Sequence, residues 1–137
     1  PSILQKKKME LHCKVCGKES YTMERGTTNI ICSEECQFLF KIKEWKSKRL
    51  ELGDRNMEEM DYILLQRTFD GGIIIQVIGV REKMRRKGIA TRMIKMVESL
   101  GAKYVILQSI MDDDMLKLAK KLGYKQKLPG SMDFIKQ

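Results

Sequence analysis

A strand, a basic loop and a helix follow one another without a break between Ile73 and Gly101, and this stretch limits the fold more than any other. Ile73-Ile74-Ile75-Gln76-Val77-Ile78-Gly79-Val80 is an apolar, β-branched run that reads as a strand. Gly79 near its end marks a bulge or a close backbone approach. Beyond Val80 the chain reads R-E-K-M-R-R-K-G-I-A. Ile89, Met93, Met96, Val97 and Leu100 then recur at helical spacing, and Gly101 is a natural stop. The helix therefore begins around Gly88. The first turn of a helix carries N–H groups without partners and a partial positive charge, which together attract an anion. Gly88 and the small Ala90 let a ligand approach the backbone, and Arg85, Arg86 and Lys87 add cationic side chains. The simplest anion for such a loop is a phosphate or pyrophosphate; the plainer reading is a basic surface loop. Neither G-x-x-x-x-G-K-S/T nor G-x-G-x-x-G occurs.

Four cysteines, Cys13, Cys16, Cys32 and Cys36, are the only ones in the chain, spaced C-x2-C-x15-C-x3-C. Two pairs at this spacing can close four thiolates around one ion, zinc first and iron second. The rival is a disulfide framework. No apolar signal core follows P-S-I-L-Q-K-K-K, so the expected compartment is reducing and cytoplasmic, where disulfides are rare. His12 adjoins Cys13 and reads as an exposed neighbour. As the single histidine, it leaves little room for histidine-based catalysis. Tyr21 to Met23 and Thr28 to Ile31 can pair as a hairpin, and Ser33 can cap a helix whose first turn holds Glu34 and Glu35. A module this short has little core, so the metal is expected to supply much of its folding energy. The capped helix is expected to run through Trp45 toward Leu52, with Phe38, Ile42 and Trp45 on one core-facing stripe.

The remaining elements follow in order. Tyr62 to Phe69 is a strand, Asp70-Gly71-Gly72 turns the chain, and the Ile73 strand returns. Lys103 to Gln108 is a further strand. Asp112 caps a helix with Met115, Leu118, Ala119 and Leu122 on its apolar face, and Gly123 ends it. Tyr124 to Leu128 and Met132 to Lys136 close as a hairpin. The chain of 137 residues is 42% hydrophobic and has no apolar run of membrane-spanning length. Its formal charge of +9 fits nucleic acid, an acidic protein or a lysine-rich solubilising surface.

Two resemblances organise these readings. C-x-x-C-G followed by Ile31-Cys32-Ser33-Glu34-Glu35-Cys36 is similar to a treble-clef zinc finger of the F-C-S-x-x-C kind, over residues 13–45. Arg85-x-x-Gly88-x-Ala90, entered from a strand, resembles the Q/R-x-x-G-x-G/A signature of the GNAT superfamily of N-acetyltransferases. Leu118-Ala119-Lys120-Lys121-Leu122-Gly123-Tyr124 looks like that family's L-Y-x-K-x-G-F/Y. The likeness covers residues 60–137. It implies an α+β fold with a mixed, mainly antiparallel sheet and flanking helices. The four-cysteine module stands where the family has its first half, giving a zinc-finger module with its helix over 1–53 and an acetyl-CoA domain over 54–137.

The resemblance implies that the backbone of Ile78, Gly79 and Val80 meets the pantetheine arm of acetyl-CoA. It implies that Arg85, Arg86, Lys87, Gly88, Ile89, Ala90 and Thr91 wrap the pyrophosphate. The acetyl group would pass to a primary amine, a protein lysine or an N-terminal amine. The chain departs from the family at Ala119, where a tyrosine acid often stands, and at Gln76, where a glutamate base is common on that strand. Ser109, Asp112 and Tyr124 are the candidates left for catalysis; each also has a plain structural reading as strand-end residue, helix cap and core-edge aromatic. The alternatives are a zinc-finger binding module that holds CoA without chemistry, and a nucleic-acid binder or modifier.

Overall fold

The computed structural model describes residues 13, 15–17, 33–58 and 60–137. Cys32, His12 and the hairpin expected over residues 21–31 lie outside them. The chain divides into two compact units, Pro1–Glu44 and Trp45–Gln137.

In the first unit, helix α1 spans Glu34–Lys43. Ser33 caps it by accepting the Cys36 N–H at 3.1 Å, and Glu34 and Glu35 in the first turn meet the positive end of the helix dipole. The helix buries Cys36, Phe38, Leu39 and Ile42. It ends at Lys43, well short of the Leu52 that its composition predicts. Trp45 is not part of it, and Arg49–Gly53 is a strand, β1. The residues Arg49, Leu50, Glu51 and Leu52 favour helix intrinsically, yet Leu50 and Leu52 alternate with exposed neighbours. Pairing with the next strand makes use of that period of two, and tertiary pairing overrides propensity.

The second unit is a six-stranded mixed sheet with helices, an α+β arrangement. It contains β1, β2 (Tyr62–Arg67), β3 (Ile73–Gly79), α2 (Ile89–Glu98), β4 (Val105–Leu107), α3 (Asp113–Lys121), β5 (Lys125–Gln126) and β6 (Phe134–Lys136). The strand order is β1-β2-β3-β4-β6-β5. Only β3 and β4 run parallel, joined by the α2 crossover; every other neighbour is antiparallel. The sheet centre is fully covered: Ile63, Leu65, Ile73, Ile75 and Leu107 are all 2% exposed or less. From α2, Met93, Ile94 and Val97 join this core. Trp45 is buried too, with the Arg67 guanidinium 4.2 Å above its ring and its indole N–H donating to Ser47 Oγ at 3.0 Å.

The bulge sits at Gln76. Leu64 faces Val77 and Leu65 faces Ile75, so Gln76 is the extra residue of β3. Its amide donates to Gln66 Oε1 at 2.9 Å. Gly79 instead serves the close approach: a Cβ there would lie 2.1 Å from Met57 Sδ. The core sets a measurable expectation. Leu65→Ala should lower the unfolding free energy by about 2–5 kcal/mol in urea titration. The same change at Leu128, which is 67% exposed, should stay within about 0.5 kcal/mol.

Candidate functional site

Strands β3 and β4 pair over three residues, ending with Ile75 opposite Leu107. The Gln108 N–H donates to the Ile75 carbonyl at 3.1 Å, and no further residue pair follows. Beyond that point the strands part. A cleft of about 980 Å³ opens between residues 76–80 on one side and 108–111 on the other. The edge of β3 beyond Ile75 therefore faces the cleft rather than a neighbouring strand, and its backbone groups need other partners.

The loop after β3 is tied down at both ends. Asp61 is the one buried charged side chain among the described residues. Its Oδ1 accepts the Arg81 backbone N–H at 2.8 Å and the Arg81 Nε at 3.2 Å. Asp61 stands one residue before Tyr62, which pairs with Gly79, so it fixes where the chain leaves the sheet. A single 3-10 turn, Glu82–Met84, follows. Arg85 Nε then reaches back to the Val80 carbonyl at 3.0 Å. Arg86 and Gly88 take positive φ, +66° and +77°. At the far end Arg92 Nη2 donates to the Lys87 carbonyl at 2.9 Å.

Gly88 is the N-cap of α2 and makes no side-chain cap bond; no acidic residue lies in the first turn. The other two helices among the described residues differ. Ser33 caps α1 and Asp112 caps α3, each followed by two acidic residues. The start of α2 thus keeps its N–H groups and positive potential available to an anion, and it opens onto the cleft.

Of the ten residues expected around a cofactor, all except Lys87 line this one cleft: Ile78, Gly79, Val80, Arg85, Arg86, Gly88, Ile89, Ala90 and Thr91. Lys87 turns aside, with its Nζ 3.9 Å from Met84 Sδ. Ser109 and Asp112 line the opposite wall. Ser109 has φ +55° and its N–H is held by Asp133 Oδ1 at 2.8 Å, while Asp112 accepts the Asp114 N–H at 3.2 Å. Tyr124 is elsewhere. Its ring is buried, and its hydroxyl donates to Glu98 Oε2 at 3.1 Å beside Lys136, outside the cleft. Burial, then the Glu98 carboxylate, pushes its ionisation far above the usual tyrosine range. Ala119 is fully buried. Among the described residues the ionisable side chains on the cleft wall are Glu82, Arg85, Arg86, Asp112 and Asp114, with no tyrosine, cysteine, histidine or lysine.

Asp61, Gln76 and Met57 are the contributors that sequence reasoning misses. Asp61 leaves one trace, a carboxylate set directly against the apolar strand that begins at Tyr62. Met57 leaves none, and Gln76 stands out in the sequence as the polar residue of its strand but not as a bulge.

In the first unit, Cys13, Cys16 and Cys36 bring their sulfurs within 4.8 Å of one another. Cys13 and Cys16 sit on a turn closed by Gly17 N–H to the Cys13 carbonyl at 2.9 Å, with Gly17 at φ +76°. The Val15 N–H points at Cys13 Sγ at 3.4 Å. Cys36 lies in the first turn of α1, where the helix N-terminus favours thiolate. Three soft donors this close fit a tetrahedral thiolate metal site.

Solved structures similar to this chain include the following two. One is an aminoglycoside 6'-N-acetyltransferase complexed with coenzyme A, 17% identical over 74% of this chain and 76% of that one, with a TM-score of 0.41. The other is a protein from Agrobacterium tumefaciens described as an acetyltransferase, 17% identical over 82% of this chain and 95% of that one, with a TM-score of 0.43. No family model and no curated protein matches the chain.

Two outcomes test this geometry. Asp61→Ala removes the buried carboxylate that meets the partly buried Arg81 guanidinium and should cost about 3 kcal/mol in denaturant unfolding, whereas Asp61→Asn, which keeps an acceptor for the Arg81 N–H, should cost less. For the cysteines, the wild-type chain loaded with cobalt should show thiolate-to-metal charge transfer, and Cys36→Ser should weaken that band and lower the bound metal.

Proposed function

We propose that the chain is an acetyl-CoA-dependent N-acetyltransferase acting on a primary amine, with a protein lysine or N-terminal amine as acceptor. The observation that carries this reading is the parting of β3 and β4 beside an uncapped helix N-terminus. One cleft thereby offers an open strand edge and an anion site in sequence along the chain. A pantetheine arm is an extended amide chain, and an open strand edge takes such a chain as it would another strand. The pyrophosphate at the end of that arm then meets the first turn of α2 and the guanidinium of Arg86.

Acetyl-CoA supplies an activated thioester. The chain supplies position. Backbone donors along residues 78–80 orient the arm, and the wall formed by Ser109 and Asp112 faces the place where an amine must enter. Zinc, held by Cys13, Cys16 and Cys36 with Cys32 as the fourth ligand, is the metal this reading assigns to the first unit, as a structural ion. Among the described residues no helix is long and apolar enough to cross a membrane; the proposed setting is the cytoplasm.

Among the described residues the cleft wall carries no tyrosine, and this favours a second reading in which the cleft binds CoA without transfer. Calorimetric titration with acetyl-CoA, with CoA and ATP as controls, addresses both. Binding in the micromolar range is expected, weakened about tenfold or more by Gly88→Glu and by Arg86→Ala, which spares the glycine. A folded, metal-loaded chain that binds neither acetyl-CoA nor CoA would sink the proposal. Transfer of labelled acetyl to a mixture of proteins marks the enzyme; tight binding without transfer marks the second reading.

A further inference from the structure

The β2–β3 turn lies at the other end of β3 from Gly79 and the anion-binding part of the cleft, about 20 Å along a strand of this length. It is built unusually firmly. Thr68 N–H donates to the Gly72 carbonyl at 2.9 Å, and Gly72 N–H to Thr68 Oγ1 at 2.7 Å. The Tyr104 hydroxyl bonds both Thr68 and Asp70, and its ring lies on Gly72, where a Cβ would come within 2.2 Å of it. Lys103 N–H donates to the Gly71 carbonyl at 2.9 Å. Every residue of the turn is held except the side chain of Phe69, which is 103% exposed. An aromatic ring kept wholly in water on a rigid mount contributes nothing to folding, being as exposed in the unfolded chain. The same rigidity reduces the entropy lost when a partner covers it.

Beside Phe69 a second hollow, about 590 Å³, is lined by Lys46, Lys48 and Arg67 together with Gln66. Arg67 is spent on Trp45 and backbone carbonyls. Lys46 and Lys48 are exposed and have no ion-pair partner among the described residues. Asp70, the one acid on this wall, is engaged by Thr68 and Tyr104, and Lys103 adds its charge nearby.

We infer that this hairpin surface binds single-stranded nucleic acid, with a base stacked on Phe69 and the adjoining phosphates on Lys46 and Lys48. A protein partner would call for a wider apolar area around the ring. Here a single phenyl stands among cations and amide groups, the composition of a stacking platform beside a phosphate track. The chain's charge of +9 draws a polyanion toward it. The inference does not rest on the acetyl-transfer reading.

The test is fluorescence anisotropy of a labelled single-stranded oligothymidine with the full chain across a salt series. Micromolar binding is expected, with the matching duplex weaker. Phe69→Ala should weaken the single strand about fivefold or more without changing thermal stability. Lys46→Ala with Lys48→Ala should flatten the salt dependence by about 0.7 per lysine in log–log slope. Gly88→Glu should leave it unchanged, which separates this surface from the cleft. Absence of micromolar binding overturns the inference, as does binding that Phe69→Ala leaves intact. Phe69-dependent capture of polyglutamate in place of the oligonucleotide would reassign the surface to an acidic protein and also overturn it.

Discussion

Parallel strands in a sheet ordinarily stay paired to their ends, because every backbone donor and acceptor left over must find another partner. In this chain β3 has seven residues and only three of them pair with β4. Two features drive the separation. The extra residue at Gln76 bends and twists β3 immediately after its last pair with β4, while keeping it registered with β2 as far as Gly79. Asp61 then holds Arg81 on the β2 side, so the chain cannot swing back toward β4. The cleft is thus a consequence of how β3 is fastened to β2. Met57 packing on Gly79 adds to the same fastening, which explains why that position tolerates no side chain.

The electrostatics follow from where the chain spends its acids. Among the described residues two helices start with a side-chain cap and two carboxylates, which take up a free N–H and balance the dipole internally. The third starts with glycine in a left-handed conformation, and the preceding residues are cationic. Glycine is suited to this cap because a Cβ would sit 3.0 Å from the Arg92 guanidinium, which itself holds the Lys87 carbonyl. The loop cations divide accordingly. Arg85 and Arg92 are partly occupied in shaping the loop, while Arg86, at positive φ on the cleft wall, has the more direct access to an anion.

What could be read from sequence is what local rules control. The strand, loop and helix of residues 73–101 combine a period change with Gly88 and Gly101 as punctuation, and they form close to where those signals stand. The caps at Ser33 and Asp112 are local as well. Strand β1 was not legible, because arginine, leucine and glutamate there favour helix and only pairing with β2 decides otherwise. The Asp61–Arg81 pair spans twenty positions and has no motif. Tyr124 carries two readings in the sequence, a catalytic one and a core-edge one, and its burial fits the second. A tyrosine after a helix-ending glycine looks available for chemistry, yet the final hairpin carries Lys136 and the helix carries Glu98 to meet it, and the ring is buried among them.

The remaining question is how such a cleft would move protons. An amine attacking a thioester must shed one proton, and the departing thiolate must gain one. On the acetyl-transfer reading the wall offers three carboxylates, Glu82, Asp112 and Asp114, as acceptors and no obvious side-chain acid for the thiol. Asp112 is committed to capping α3, and Ser109, at positive φ with its N–H held by Asp133, is with Thr91 one of the hydroxyl-bearing wall residues. Rate enhancement falls to orientation along the open edge of β3 and to its fixed backbone dipoles. Such a design ties activity to the geometry of the strand edge more than to any one ionisable group, so the Gln76 bulge and the Asp61 anchor become the residues on which catalysis would depend most.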